Sequence, residues 1–525
     1  MNKGPVSTGN TGNQPFIARR EVMMCCPYAD YWAREVPQGI KERVCHELWP
    51  PEKLSRYLDM LEAFGFNSIQ VGDLTQAYIS TGVRPEDLRA RDMHLLKAAR
   101  ERGMTATWFL WSNCCYDPGV RDSRVPMTRL RQCWHDPAER AFLEEYYRRQ
   151  SDYAPYVDHL LTHWADPGGG KEGCGRCDYR GALELHNTIQ DLFRKRNPCL
   201  RTTFSTWMLI DGSTWNRWPG LEKLENILHS GILAPDVGVA LGLMNCGADG
   251  QRLDFAGRLK KEEVDAIRDC GRTAGIWCWY TTDNEIAPSL HVQTDILQNY
   301  FRSLVEPSGG RLDWHTVDDN CHGLNMPNLY VAGRLMQNPH EDARTILSEF
   351  LHRYFGGDAA PAAGEALRVI EKARGQSIRY ATQVGDPSEA LHLDALRETR
   401  ELTGTASWRK SVLAMAEEAG KRLEHTGIRA GHTPSFPAPI TPADYLDEVR
   451  VHLRAIAQLM RFLLEAEKVW NLIRRESSPE AIRTAIARLP EVERSDEHLV
   501  HLEWWTAQCG KDELLKKASA PTAGN

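Results

Sequence analysis

Short strand-like runs alternate with amphipathic helical stretches from Glu21 to about Asp319, and this alternation narrows the possible folds more than any other feature. The runs are rich in β-branched and aromatic residues, as buried parallel strands are. Eight runs are predicted as strands: Val22–Cys26, Ser68–Gly72, Thr105–Trp111, Val157–His163, Arg201–Trp207, Val237–Leu243, Gly275–Tyr280 and Leu312–Val317. Because eight parallel strands with intervening helices close a barrel, we predict an α/β fold of the (β/α)8 TIM type.

The stretches between the strands have the 3.6-residue spacing of helices. In the segment Pro50 to Phe66, Leu54, Leu58 and Leu61 fall on one face, and the leading proline suits a first helical turn. An open doubly wound sheet is the alternative architecture. No GxGxxG follows the first strand and no GxxxxGK[ST] phosphate loop occurs, so we favour the barrel.

Strand-like runs disappear after Pro339, and the remaining segments are helical in pattern. A long amphipathic stretch follows a proline-rich segment, and in it Leu453, Ile456, Met460 and Leu463 are predicted to face a helical core. The predicted organisation is a flexible N-terminus (1–20), a catalytic barrel (21–340), an α-helical C-terminal domain (341–515) and a flexible tail (516–525).

Composition excludes several classes of partner. Hydrophobic residues make up 42% of the chain, enough for a large core, and a formal charge of −7 offers no basic field to a nucleic acid. No apolar run approaches the ~18 residues that span a bilayer, and the first twenty residues lack the apolar core of a signal peptide. We therefore expect a cytoplasmic protein without nucleic acid or membrane partners.

The 14 cysteines lack the dense, regular spacing of a small disulfide-rich domain, which favours a reducing compartment. Cys25, Cys26 and Cys278 fall in apolar runs, where we expect them to act as small hydrophobic residues. Cys174 and Cys177 form a CxxC motif with zinc or redox spacing. No second CxxC or histidine pair stands at a matching interval, so we interpret them as structural thiols and keep a metal or redox role as the alternative.

Acidic residues follow the predicted strands at the end where barrel enzymes have their active sites. They follow the second, fourth, seventh and eighth strands: Asp73, Asp166, Asp283, Glu285, Asp318 and Asp319. Asp283 and Glu285 point the same way if the segment is extended, whereas only one of the adjacent Asp318 and Asp319 can face inward. Helix capping or turn formation is the alternative explanation for Asp73, Asp166 and the Asp283/Glu285 pair.

Tryptophans lie near the same end of the barrel: Trp111, Trp164, Trp207, Trp277, Trp279 and Trp314. Flat aromatic faces stack on the CH faces of pyranose rings, carboxylates bind sugar hydroxyls, and glycosidic cleavage needs two carboxyl groups with opposite roles. Together these residue types predict a glycoside hydrolase, with Asp166, Asp283 and Glu285 as the catalytic candidates.

Other polar residues near the strand ends are predicted to contact the substrate. Besides Asp73, Asp318 and Asp319, these are Trp111, His135, His163, Trp207, His322 and Asn325. His135 and His163 are also acid/base candidates, although a structural role is common for such residues. Arg129, Arg201 and Arg334 are candidates to bind a substrate carboxylate. Neither HxH nor HExxH metal spacing nor a GxSxG elbow occurs, so we expect no cofactor and no catalytic metal.

Four segments resemble a known group: WPPEKLSRYLDMLEAFGFNSIQ, THWADPGGG, GIWCWYTTDNEIAPSLH and NMPNLYVAGRLMQNPHEDARTILSEFLHRYFG. They are similar to bacterial barrel glycoside hydrolases related to the α-glucuronidases and the barrel-type β-N-acetylglucosaminidases. The resemblance implies a barrel followed by a helical domain. It also implies that Asp166 is the general acid and that Asp283 or Glu285 is the base.

We therefore predict a hydrolase that releases a terminal sugar, with a uronic acid, an N-acetylhexosamine or a sialic acid as candidates. A sialidase-like variant would use His135 with an aspartate. The alternatives are a non-catalytic carbohydrate-binding barrel and a metal-dependent sugar isomerase or hydrolase. A carbohydrate substrate is the expected partner, and the sequence leaves a homodimer open.

Overall fold

A computed structural model describes the chain at residues 14–24, 38–72, 85–112, 132–163, 177–206, 223–244, 259–279, 290, 292–319, 323–384, 406–428, 432–475, 477–498 and 500–519. The structural statements below concern these residues. Cys25 and Cys26, as well as residues 1–13 of the predicted flexible N-terminus and 520–525 of the predicted tail, lie outside them.

Eight parallel strands form one closed barrel in sequential order. They are β1 (Ile17–Met24), β2 (Ser68–Gly72), β3 (Thr105–Trp111), β4 (His159–His163), β5 (Arg201–Ser205), β6 (Gly238–Met244), β7 (Ala274–Trp279) and β8 (Leu312–Asp319). All eight predicted strands are confirmed, and with them the (β/α)8 TIM barrel. β8 is two residues longer than predicted, so Asp318 and Asp319 lie within the strand and not after it.

Pairing between β1 and β8 closes the barrel. The register runs from Ile17 opposite Leu312 to Met24 opposite Asp319, and the backbone NH of Phe16 donates to the carbonyl of Gln337 at 3.0 Å. β1 therefore starts at residue 17, five residues before the predicted strand start at Val22. The charged triplet Arg19 to Glu21 gives the start of this strand a polar pattern, so hydropathy does not reveal it.

Helices surround the barrel. They are α1 (Gln38–Val44), α2 (Pro51–Ala63), α3 (Pro85–Glu101), α4 (Pro137–Gln150), α5 (Tyr179–Arg194), α6 (Leu224–Leu228), α7 (Lys261–Asp269), α8 (Thr294–Ser303) and α9 (Met326–Gln337). Each strand is followed by at least one of them. The predicted apolar face of α2 is confirmed, since Leu54, Leu58 and Leu61 are all buried.

After the barrel, the described residues form the helices α10 (Ala343–Phe355), α11 (Ala360–Val384), α12 (Ala406–Glu424), α13 (Pro442–Arg474), α14 (Pro479–Ala487) and α15 (His501–Ser519). The side chains predicted to face a helical core on α13 are all buried: Leu453, Ile456, Met460 and Leu463. No helix in the described part of the chain has the length and apolarity to cross a membrane.

A buried carboxylate, Glu21, occupies the centre of the barrel. It accepts hydrogen bonds from the hydroxyls of Ser68 at 2.7 Å, Thr316 at 2.9 Å and Thr107. Since these partners come from β2, β8 and β3, the four side chains meet inside the lumen. A buried polar group left without its hydrogen-bond partner costs about 1–3 kcal/mol, and more when the group is charged, so strand arrangements that separate these side chains are disfavoured.

Arg19 occupies the next layer toward the amino ends of the strands. Its guanidinium contacts the ring of His159, lies 4.7 Å from the ring centre of Trp314 and is 3.8 Å from Glu21. Burial lowers the pKa of Arg19 below its ordinary value, and the nearby Glu21 carboxylate opposes that shift. A Cβ on Gly275 would lie 2.0 Å from the Trp314 indole nitrogen, so glycine makes room for this layer.

Aromatic rings fill the lumen nearer the carboxyl ends. Phe109 of β3 stacks on Trp277 of β7 with centroids 5.9 Å apart, and His163 of β4 lies 4.3 Å from Trp277. Trp111 meets His163 edge to face at 4.7 Å. β3 and β7 lie on opposite sides of the barrel, so these rings close the lumen and form a floor beneath the strand ends.

A second aromatic cluster joins the barrel helices to the C-terminal helices. Phe64, just after α2, packs edge to face against Tyr330 of α9 and against Phe436, each at 5.0 Å. At this point a Cβ on Gly333 of α9 would lie 2.1 Å from the carbonyl oxygen of Phe64. Glycine is thus required for α9 to approach the end of α2.

We expect Gly333→Ala to lower the free energy of unfolding by about 1–3 kcal/mol, because the new methyl group meets a backbone atom that cannot rotate away. Gly420→Ala in α12 is the matched control, since no heavy atom lies within 4 Å of its Cβ position. It should stabilise the protein by about 0.5–1 kcal/mol through helix propensity. Urea unfolding of both variants measures the difference, and equal stabilities would contradict the close approach.

The burial of two histidines leads us to expect that the protein loses stability in acid. Burial lowers the pKa of His186 and of His315 from 6.5 to about 3. Below pH 6.5 the unfolded chain therefore binds protons that the folded chain does not. Unfolding free energy should fall as pH drops from 6.5 toward 3, by up to about 1.4 kcal/mol per pH unit for each histidine.

Urea unfolding at several pH values checks this expectation. His186→Gln should reduce the slope of unfolding free energy against pH by the equivalent of about one proton. His340→Gln, at an exposed position, is the matched control. An unchanged slope in His186→Gln would mean that this imidazole is protonated in the folded protein.

Candidate active site

The carboxyl ends of the eight strands define the candidate active site. Several predicted site residues belong to strand-to-helix connections outside the described residues: Asp73, Asp166, Trp207, Asp283, Glu285 and His322. Their roles stay predictions. The described residues define the floor and one side of the site.

Asp318 and Asp319 point to opposite sides of β8. Thr316 binds Glu21 in the lumen, so Asp318, two residues further along the strand, also faces the lumen. Asp319 faces outward and accepts a hydrogen bond from the hydroxyl of Tyr57 on α2. The expectation that only one of the pair can face inward agrees with this arrangement. Asp318 is thus the better placed of the two to contact a ligand, and Asp319 joins β8 to α2.

His163 and Trp111 belong to the aromatic floor. Both are buried, and Trp111 presents its ring to His163 rather than to an open face. Burial holds the pKa of the His163 imidazole well below its usual 6.5. The ring is therefore neutral at neutral pH and is suited to hydrogen bonding, not to the role of a cationic acid.

Gln70 is a lumen residue that the sequence reasoning missed. It lies two positions after Ser68 on β2, so it shares the inward orientation of the serine that binds Glu21. Its side chain is buried, and neither Oε1 nor Nε2 has a hydrogen-bond partner among the described residues. A polar residue at an inward position of the apolar run SIQVG was the available signal.

His135 and Asn325 both lie at the strand-end side of the barrel. His135 is exposed and immediately precedes Asp136, which caps α4 by accepting from the backbone of Ala138 at 2.9 Å. Asn325 precedes α9, and its Oδ1 accepts from the amide of Asn328 at 2.9 Å. The Oδ1 atom of the Asn325 side chain is therefore engaged in a structural hydrogen bond.

Two arginines proposed as carboxylate ligands lie elsewhere. Arg201 is the first residue of β5, at the amino end of the strand. Arg334 pairs with Glu341 at 2.7 Å and with Glu349 at 2.9 Å. Both proposals are corrected, because a residue at the opposite end, or one already paired twice, is poorly placed for substrate. Arg129 lies outside the described residues.

Helix α13 supports one side of the candidate site. The hydroxyl of Tyr445 donates to the carbonyl of Leu324, after β8, at 3.0 Å. Nε2 of buried His452 accepts from the backbone NH of Leu290, after β7, at 3.3 Å. The C-terminal helices thus contact the connections after β7 and β8, where several predicted site residues lie.

Glu448 on the same helix is a fully buried carboxylate. It binds Arg43 of α1 at 2.8 Å and His498 at 2.9 Å. The hydrogen bond that the His498 ring donates to Glu448 raises the pKa of His498 above 6.5, although burial opposes the shift. This ion-pair network ties the connection after β1 to the C-terminal helices.

Cys177 of the CxxC motif lies beside another cysteine, a proximity that the spacing of cysteines in the sequence did not reveal. Cys177 precedes α5, and its sulfur lies 3.7 Å from that of Cys133, which precedes α4. Both side chains are buried and neither is in a disulfide. Cys174 lies outside the described residues, within which no cluster of three metal-binding side chains occurs.

We expect Gln70→Met to stabilise the protein by about 1–2 kcal/mol, because a side chain of similar shape replaces a buried amide that has no partner among the described residues. Gln190→Met is the matched control. Gln190 is equally buried, but its amide donates to the hydroxyl of Thr202 at 2.7 Å, so its replacement should destabilise by about 1 kcal/mol. Thermal and urea unfolding distinguish the two variants. Equal destabilisation would show that the Gln70 amide is paired.

No protein-family model matches the chain, and no curated protein matches it. Among solved structures, it is similar to a GH138 enzyme targeting pectin rhamnogalacturonan II, with a TM-score of 0.52, 11% identity, and coverage of 90% of this chain and 61% of that one. This chain thus spans about three fifths of that enzyme.

Two further matches have lower scores. CpGH84D gives a TM-score of 0.46 with 10% identity, covering 96% of this chain and 70% of that one. A GH20 exo-β-N-acetylglucosaminidase from Vibrio harveyi gives 0.38 with 12% identity, covering 62% and 54%. At these identities the likeness concerns the fold alone, and the matches with lower scores also include D-psicose 3-epimerases.

Proposed function

We propose that the protein is a glycoside hydrolase that removes a terminal sugar by acid/base catalysis with two carboxyl groups. The observation that carries the proposal is the inward orientation of Asp318 at the carboxyl end of β8, in a barrel whose lumen is closed by aromatic rings. Further acidic residues follow β2, β4 and β7 in the sequence. The shared fold with a GH138 enzyme supports the same class of reaction.

The floor explains how a sugar would be held. Phe109 and Trp277 fill the lumen, so a pyranose ring would bind above them and not enter the barrel. Asp318 would accept hydrogen bonds from sugar hydroxyls, and neutral His163 would donate or accept one. An aromatic floor with polar groups around it fits the amphipathic faces of a sugar.

Catalysis is assigned to the carboxylates after β4 and β7. Asp166 would protonate the leaving oxygen, and Asp283 or Glu285 would activate water or attack the anomeric carbon. A general acid must be protonated while its partner is ionised, which requires different surroundings for the two groups. A uronic acid, an N-acetylhexosamine or a sialic acid is the proposed sugar, and the bacterial cytoplasm is the proposed location.

A panel of 4-nitrophenyl and 4-methylumbelliferyl α- and β-glycosides, including uronides, N-acetylhexosaminides and sialosides, tests the activity. We expect turnover of one class of glycoside. Asp166→Asn and either Asp283→Asn or Glu285→Gln should each lower kcat by about 100-fold or more. Activated aryl leaving groups need little protonation, so the Asp166→Asn loss should be smaller on them than on an unactivated oligosaccharide.

The adjacent aspartates of β8 serve as a matched pair in the same assay. Asp318→Asn should raise KM, whereas Asp319→Asn, whose carboxylate contacts Tyr57 outside the lumen, should leave KM unchanged. Sugar binding without turnover would favour the carbohydrate-binding alternative. Turnover that appears only after addition of Mn²⁺ or Co²⁺ would favour the metal-dependent alternative.

A further inference from the structure

A groove lies among the helices outside the barrel, between α10 and α11. Its volume is about 700 Å³, within the range of sites that hold small organic ligands. The residues that line it all belong to α8, α10, α11 and α12. The groove is therefore a feature of the helical layer, distinct from the lumen and its aromatic floor.

Two facing helices form the long walls of the groove. The lining residues of α10 and of α11 recur at three- and four-residue spacing, so each helix presents one continuous face. At the contact between these helices, a Cβ on Gly364 would lie 2.9 Å from the side chain of Leu351. Close packing at this point means that the groove is built into the helix arrangement.

Two cationic side chains project from the α11 wall. Arg368 and Lys372 are one helical turn apart and exposed. Neither has a carboxylate partner in the described part of the chain, and the ammonium of Lys372 instead lies 3.5 Å from the sulfur of Met415 on α12. Like charges at this spacing on a helix repel each other. An anion bound between them would relieve the repulsion.

The acidic residues around this cationic pair are already engaged. Asp295 of α8 accepts from the guanidinium of Arg344 at 2.7 and 3.0 Å. Glu371 accepts from the first backbone NH of α8 at 2.6 Å. Glu365, on the turn before Arg368, pairs with Arg422 at 2.7 Å. The charges of Arg368 and Lys372 thus remain available to a ligand.

The rest of the lining suits the body of a sugar. Apolar side chains form part of the walls, including Leu347, Leu351 and Met415, and can contact the CH groups of a pyranose ring. The hydroxyl of Ser348 and the carboxylate oxygens of Asp295 and Glu371 can accept hydrogen bonds from sugar hydroxyls. Because these two carboxylates would repel a polyanion, the lining favours a ligand with one charged group and a hydroxylated body.

We propose that this groove is a second carbohydrate site, which binds a sugar carrying a single oxyanion group, either a carboxylate or a phosphate. The oxyanion lies between Arg368 and Lys372, where the guanidinium can donate two parallel hydrogen bonds to it. The sugar ring lies against the apolar part of the α10 wall. No bond is made or broken there, so the proposal does not depend on the hydrolase activity proposed for the barrel.

The test compares three sugars that differ only at C6: D-glucuronate, D-glucose 6-phosphate and D-glucose. Isothermal titration calorimetry with the full-length protein should show that at least one of the two anions binds about 10-fold or more tightly than glucose. The tighter anion identifies the group as carboxylate or phosphate. Its affinity should fall as NaCl rises from about 50 to about 300 mM, because salt screens exposed charges. Equal affinity for all three sugars, or no binding of either anion, would overturn the proposal.

Variants locate the binding. Arg368→Ala and Lys372→Ala should each weaken anion binding by about 10-fold, because each removes a charge-assisted contact. Arg483→Ala, at an exposed position on α14, is the matched control and should bind as the wild type does. All three side chains are exposed, so we expect each variant to fold, and thermal unfolding checks this.

A substitution in the barrel separates this proposal from the proposed hydrolase. Asp318→Asn should leave anion binding to the groove unchanged, and Arg368→Ala should leave turnover of the glycoside panel unchanged. Anion binding that is lost in Asp318→Asn but kept in Arg368→Ala and Lys372→Ala would assign it to the barrel and contradict the proposal. Absence of turnover in the wild type, with anion binding that depends on Arg368 and Lys372, would contradict the hydrolase alone.

Discussion

Closure of the sheet through β1 and β8 is the constraint on which the rest of the structure depends. Once the edges pair, alternate side chains of all eight strands must share one narrow lumen. The middle of the lumen is occupied by the carboxylate of Glu21, which accepts hydrogen bonds from hydroxyls of three strands. A buried charge is tolerated there because the surrounding groups complete its hydrogen bonds. The lumen is therefore a packed core and not a channel.

Filling the lumen also determines where a ligand can bind. Aromatic rings from β3, β4 and β7 close the barrel below the strand ends, so chemistry is confined to the space above them. Strand alternation then selects which acidic residues reach that space, as Asp318 and Asp319 show. Burial keeps His163 neutral, which assigns hydrogen bonding rather than proton donation to this part of the floor.

Residues of the barrel domain and residues of the C-terminal helices both contact the segments that follow the strands. Tyr445 and His452 of α13 bind backbone groups after β8 and β7, and Glu448 joins the same helix to Arg43 after β1. The helices after the barrel are thus part of the framework of the candidate site. On the other side, the thiols of Cys133 and Cys177 link the connections after β3 and β4.

Sequence alone determined the eight strands, the apolar faces of α2 and α13, and the end of the barrel where acidic residues gather. These depend on local periodicity and on the order of elements, which a single chain displays directly. Tertiary structure decided the start of β1, the inward placement of Gln70, the partners of Arg334 and Glu448, and the approach of Cys133 to Cys177. Each of these depends on groups far apart in the chain, and only closure and packing bring such groups together.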